Sequence, residues 1–216
     1  GAKHRRTKMA DLLLELFSEE IPARMQKRAS EDLKRLVTDG LVEAGLSYES
    51  AGAFVTPRRL CLSVVGVSDR SPDLKEERKG PRVGAPEKAI EGFLRSVGLA
   101  KDQLEVRDEK KGQVYFTVTE RPGRAAAEII GDVVPNVVRN FPWPKSMRWG
   151  VGELKWVRPL HSILCILHDS EGAEVVSFDV DGIISGDMTQ GHRFHAPSSF
   201  RVASFEQYVS ELAKAH

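Results

Sequence analysis

A chain of 216 residues with 41% hydrophobic content can bury one large core or two small ones. No run approaches the roughly 20 apolar residues of a membrane span, and no signal-like apolar segment follows the basic N terminus, so the sequence reads as soluble and cytoplasmic. Formal charge is +1, but residues 1–8 carry four cations and no acid and read as an expression leftover before Met9; without them 28 bases face 31 acids, so any polyanion contact rests on a local patch rather than on net charge.

The run Leu12-Leu13-Leu14-Glu15-Leu16-Phe17 predicts a buried strand ending at Ser18, placed to cap a helix. From Glu19 to about Leu46 the period becomes helical, with Ile21, Met25, Leu33, Leu36, Val37, Leu41 and Val42 on one side, Pro22 in the first turn and Gly45 near the stop. Ala53 to Thr56 and Arg59 to Val67 read as two strands around Pro57, with two arginines at the joint Thr56-Pro57-Arg58-Arg59. Lys75 to Pro86 is charged and punctuated by glycine and proline, which predicts an exposed loop.

Pro86 opens a short helix carrying Ile90, Phe93, Leu94 and Val97, with Gly98 as its stop. Leu104 to Val106 and Gln113 to Thr119 form a hairpin, and Arg124 to about Asn140 a second long helix in which Pro135 predicts a kink or early break. Strands at about 157–167 and 173–180 and a helix from Ser204 to Ala215 complete the chain, which reads as a fragment. Strands and helices without regular alternation, joined by hairpins, indicate an α+β fold with mixed, mainly antiparallel sheets and long amphipathic helices. A boundary near residues 70 to 86 divides a strand-helix-strand-strand unit, residues 9–70, from a larger α+β unit, residues 71–216, the alternative being one continuous domain.

Cys61 and Cys165 each sit among aliphatic neighbours, as small core residues do, and their spacing fits no metal site. His192 and His195 flank Arg193 in a segment that is not helical, so their rings face apart and oppose chelation. His168-Asp169 reads as a polar strand end, and Asp179 with Asp181 as a solvated edge and turn. With no nucleophile elbow, phosphate-cradling loop or dinucleotide fingerprint, no catalytic, cofactor or metal residue is assigned.

All three tryptophans fall between Phe141 and His161, where prolines, glycines and four cations against one acid provide a rigid, aromatic, basic segment suited to RNA. At least one tryptophan is expected in the core. Arg58 and Arg59, Lys79 in Lys79-Gly80-Pro81-Arg82, Lys145, Arg148, Arg158, His192 and Arg193 are the candidate RNA-binding residues, each also readable alone as part of a solvated turn or strand end.

Six motifs occur in order: Leu12 to Pro22, Thr56-Pro57-Arg58-Arg59-Leu60, Lys79-Gly80-Pro81, Pro144-Lys145-Ser146-Met147-Arg148-Trp149-Gly150, Val157-Arg158-Pro159-Leu160-His161 and Gly191-His192-Arg193-Phe194. Together they resemble the N-terminal part of the β subunit of bacterial glycyl-tRNA synthetase, from about Ala10 onward. One departure is Trp143 between two prolines, where some relatives have an aliphatic residue. The resemblance implies a fold similar to the B3/B4 module of the phenylalanyl-tRNA synthetase β chain, and an assembly of two α and two β chains. It also implies that ATP, magnesium and glycine are bound by the α subunit while the β subunit recognises the tRNA for glycine. A scaffold role, with the tryptophan segment docking the α subunit, is the alternative. Editing is disfavoured, because a site for the smallest amino acid excludes larger ones sterically.

Overall fold

The computed structural model describes residues 8–144, 147–148, 155–190 and 199–214, the side chains of residues 147, 148, 155, 190, 199, 200 and 214 excepted. In chain order the elements begin with strand β1 (Met9–Ser18), helix α1 (Ala23–Glu43), and strands β2 (Ser50–Thr56), β3 (Arg59–Ser68) and β4 (Leu74–Arg82). Helix α2 (Glu87–Val97), a short 3-10 turn (Lys101–Gln103), strands β5 (Glu105–Glu109) and β6 (Gly112–Arg121) and helix α3 (Ala126–Arg139) come next. Then come β7 (Met147–Arg148), β8 (Lys155–Trp156), β9 (Leu160–Asp169), β10 (Gly172–Val175), β11 (Asp179–Val180), β12 (Ile183–Ile184), β13 (Met188–Gln190), β14 (Ser199–Arg201) and helix α4 (Phe205–Lys214). The fold is thus mixed α and β, and its strand ladders are antiparallel. No described helix is long and apolar enough to cross a membrane.

Contacts divide the chain into one unit of residues 1–71 and 124–216 and a smaller one of residues 72–123. The sequence indicates one boundary, near residues 70 to 86, whereas the contacts divide the chain at 71/72 and again at 123/124.

The larger unit is built on a five-stranded sheet in the order β10-β9-β1-β3-β2. Its central strand is apolar on both sides because both are covered. Leu12, Leu14 and Leu16 join α1 and α3 in the main core, while Leu13 meets Cys61, Leu164, Ile166, Val202 and Tyr208 on the opposite face. Alternation along a strand explains the division, and two covered faces explain why the sequence shows an unbroken apolar run. Asp11 of β1 accepts from the Gly66 N–H at 2.9 Å where β3 bulges, and Gly66 takes φ 68°, a conformation costly for any residue with a Cβ.

Helix α1 buries Met25, Ala29, Leu33, Val37 and Leu41, one per turn. It begins after Pro22 rather than at Ser18, whose hydroxyl donates to the Glu19 carbonyl from the buried end of β1, and Val42 lies outside the buried stripe. At its end Leu46 N–H reaches Leu41 O and Gly45 N–H reaches Val42 O, the paired closure that a left-handed Gly45 permits. Helix α3 is not broken at Pro135; burial of Val134, Val137 and Val138 on either side holds the turn.

In the smaller unit, β4, β6 and β5 form a sheet in that order, and residues 75–82, expected as a loop, are its edge strand. A Cβ on Gly80 would stand 2.5 Å from the Phe93 ring, so glycine is what lets α2 lie on β4 at that point. Gly98 ends α2 in the left-handed conformation, as predicted.

A carboxylate lies inside the second layer of the larger unit. Glu15 is fully buried, accepts hydrogen bonds from Thr189 of β13 and Tyr208 of α4, and stands 3.3 Å from the Arg59 guanidinium. Burial pushes its pKa up, opposed by the two hydroxyl donors and by the arginine. His168, also buried and opposite Asp11 in register, has its pKa lowered chiefly by burial, against the pull of Asp11, Asp169 and Glu206. Both cysteines are buried and free, and burial raises their thiol pKa values.

Tyr208→Phe removes a donor to a buried charge and is expected to lower unfolding free energy by about 1–3 kcal/mol, read by urea titration. Burial lowers the His168 pKa in the fold, so the unfolded chain, with the ordinary value of 6.5, takes up the proton first as the pH falls. Stability present above that pH is lost as the pH falls through and below it. Urea titrations at about pH 7.5 and 5.5 should differ less for His168→Phe than for the parent chain.

Candidate nucleic-acid interface

Three segments meet at one end of the five-stranded sheet: the end of β1, the turn between β2 and β3, and the lead into β9. Backbone hydrogen bonds fasten them, from Ser18 N–H to Arg58 O at 2.8 Å, Ile21 N–H to Pro57 O at 2.5 Å and Glu19 N–H to Pro159 O at 2.9 Å. Proline supplies an acceptor with a fixed φ at two of the three joints. The Arg58-Arg59 turn and the Arg158 segment, distant in sequence, thus flank residues 17–21.

Phe17 takes both neighbouring guanidinium groups, each 4.7 Å from its ring centroid. Arg58 also donates from Nε to Ser18 O at 3.1 Å, and its Nη2 is 3.9 Å from Glu19 Oε2. Glu19 is shared, since its Oε1 lies 2.7 Å from His161 Nε2. Arg158 is half-buried and donates to Val157 O at 2.9 Å. A positioned arginine with one carboxylate neighbour and a histidine beside it can meet a phosphate, but Glu19 offsets part of the positive charge.

The structure separates the other candidates. Arg59 is only 7% exposed and is directed to Glu15, so it serves the interior and is withdrawn from the RNA-facing set. Lys79 belongs to the smaller unit, on β4, where its Nζ is 2.5 Å from Glu109 Oε2. Lys145, His192 and Arg193 lie outside the described residues, and Arg148 is described by its backbone alone, paired with Lys155 across β7 and β8.

At least one tryptophan is expected in the core, and two are there, Trp143 and Trp156. Trp156 is fully buried and donates from Nε1 to Val138 O at 3.0 Å, while Trp143 packs edge-on against it with ring centroids 5.1 Å apart, both beside Phe141. Neither can serve as a platform for bases, and Trp149 lies outside the described residues. Asp179 and Asp181 sit at the β11–β12 turn, the first accepting from Gly182 N–H, and among the described residues no group of three or more metal-ligating side chains is assembled. In the sequence Glu19 reads only as a helix-start acid. The later start of α1, after Pro22, leaves it in the turn where it holds Arg58 and His161.

Comparison with known proteins supplies the family context. The family described as glycyl-tRNA synthetase beta subunit matches residues 12–216. Similar relatives include the glycine–tRNA ligase beta subunits of Ruegeria sp. (strain TM1040) and Cereibacter sphaeroides (strain ATCC 17023), each 66% identical over 207 residues, 96% of this chain and 30% of theirs. That of Paracoccus denitrificans (strain Pd 1222) is 63% identical over the same share. The chain thus spans about 30% of the length of the curated relatives it matches.

The two adjacent arginines should separate cleanly under mutation. Arg59→Ala removes the cationic partner of the buried Glu15 carboxyl, leaving it the Thr189 and Tyr208 hydroxyls, and is expected to lower stability by about 3–5 kcal/mol. Arg58→Ala should cost about 1 kcal/mol or less. Thermal and urea unfolding of the two variants provide the check.

Proposed function

We infer that this chain, which belongs to the glycyl-tRNA synthetase beta subunit family, contributes tRNA recognition and subunit assembly to the ATP-dependent attachment of glycine to its tRNA. Catalysis, with ATP, magnesium and glycine, is assigned to the α subunit, and the working enzyme to two α and two β chains in the cytoplasm. The α+β layering is read as similar to the B3/B4 module of the phenylalanyl-tRNA synthetase β chain.

The observation that carries the reading is the match to ligase β subunits along nearly the whole of this chain. Local geometry supports it: Arg58 is positioned by Phe17, Ser18 and Glu19 at the same end of the sheet as Arg158 and His161. Lys145, Arg148, His192 and Arg193 remain in the proposed contact set, whereas the tryptophan-docking alternative loses Trp143 and Trp156 to the chain's own core.

In the complete two-subunit enzyme, Arg58→Ala combined with Arg158→Ala should weaken tRNA binding and flatten its salt dependence by about 0.7–0.9 in log-log slope for each phosphate no longer neutralised. Filter binding at about 50 and 200 mM salt measures both. Unchanged affinity and slope would remove this end of the sheet from the interface.

A further inference from the structure

The smaller unit carries its own charge pattern, and the pattern stops at one place. On one face of the β4-β6-β5 sheet each of three cations meets an acid: Lys75 with Glu120 at 3.4 Å, Arg107 with Glu77 at 2.8 Å, and Lys79 with Glu109 at 2.5 Å. Arg107 also lies over Phe116, 4.3 Å from the ring centroid. At the β5–β6 turn the pairing ends. Arg82, Lys110 and Lys111 have no side-chain partner among the described residues, and Asp108 is the remaining acid at the depression they line.

Turn chemistry does not account for the two lysines. Glu109 pairs with Gly112 across a two-residue turn at Lys110 and Lys111; the positive φ of 120° falls on Gly112, so the two central positions accept most residues and do not call for lysine. Adjacent like charges there repel each other and satisfy no backbone group. Edge protection does not explain them either, because cations guarding a sheet edge are strung along the strand, whereas these gather at its end. Across from them β4 shifts register between Lys79 and Arg82, which brings Arg82 opposite Val114 and turns the Gly80-Pro81 backbone along the same depression.

That depression is open, about 720 Å³, with four cations against two acids on its rim and Val114 as its buried floor. It has no aromatic wall to stack a base and too little enclosure to hold a free nucleotide. Unpaired, exposed cations beside an open floor suit a run of phosphates read without base contacts.

We propose that the β5–β6 hairpin tip, through Lys110, Lys111 and Arg82, is a sequence-independent contact for an RNA phosphate backbone. It rests on the reading that this chain takes part in tRNA recognition and adds a second surface to it, on the unit of residues 72–123.

The test uses the complete two-subunit enzyme with Lys110→Ala, Lys111→Ala and Arg82→Ala combined, alongside the Arg58→Ala and Arg158→Ala pair. Circular dichroism and melting first confirm folding, which exposed turn substitutions should leave intact. Affinity for the tRNA for glycine and for an unrelated folded RNA is then measured at about 50 and 200 mM salt. The triple variant should bind both RNAs several-fold more weakly, its slope reduced by about two units, with KM for glycine and ATP unchanged. Restoring the charge with arginine at 110 and 111 should recover most of the affinity. Normal affinity in the triple variant with weakened binding in the arginine pair sinks the hairpin contact and leaves the tRNA reading standing. Normal binding in both sinks both. Loss of α-subunit association with RNA binding intact would assign the tip to an acidic protein surface and overturn the RNA assignment.

Discussion

Midway along the central strand of the larger unit, the Glu15 carboxylate sits out of reach of water and takes its partners from three other elements: Arg59 from β3, Thr189 from β13 and Tyr208 from α4. An unpaired charge at such depth costs several kcal/mol, so the carboxylate is tolerable only when all three arrive together. Segments far apart in sequence are thereby coupled to one point on β1. The same requirement fixes the fate of the arginine turn, since it draws Arg59 inward and leaves Arg58 as the member of the pair that faces outward.

How much of the fold is legible in the sequence depends on what each segment buries. The apolar run of β1, the one-per-turn stripe of α1 and the Gly98 stop have local physical causes, and they appear where those causes put them. Residues 74–82 do not, because an edge strand whose charged side chains are satisfied by cross-strand ion pairs carries no apolar alternation to detect. Its lysines and glutamates look like loop residues until the partner strand is known. Arg58 lies in the turn and Arg59 opens β3, and only Glu15, a residue of another strand, decides that Arg59 serves the interior. The tryptophan segment misleads for a related reason. Prolines and cations around an aromatic are compatible with a binding surface, yet Trp143 and Trp156 close the core beneath α1 and α3.

The two units manage charge differently. In the larger one, Arg58 is held by an aromatic face, a carbonyl and a shared carboxylate, at Phe17, Ser18 and Glu19. In the smaller one, ion pairs are laid out across an exposed sheet and run out at its hairpin. A protein with slightly more acids than bases beyond its first eight residues can in this way keep local positive surface without a basic composition.

Cys61 and Cys165 lie on opposite faces of one sheet, the first beneath α4 and the second beneath the layer of α1 and α3. Because neither thiol is exposed or readily ionised, alkylating reagents reach each only when its covering layer lifts. The chain therefore contains two native chemical clocks, one per layer, whose relative rates distinguish detachment of the C-terminal helix from opening of the main core.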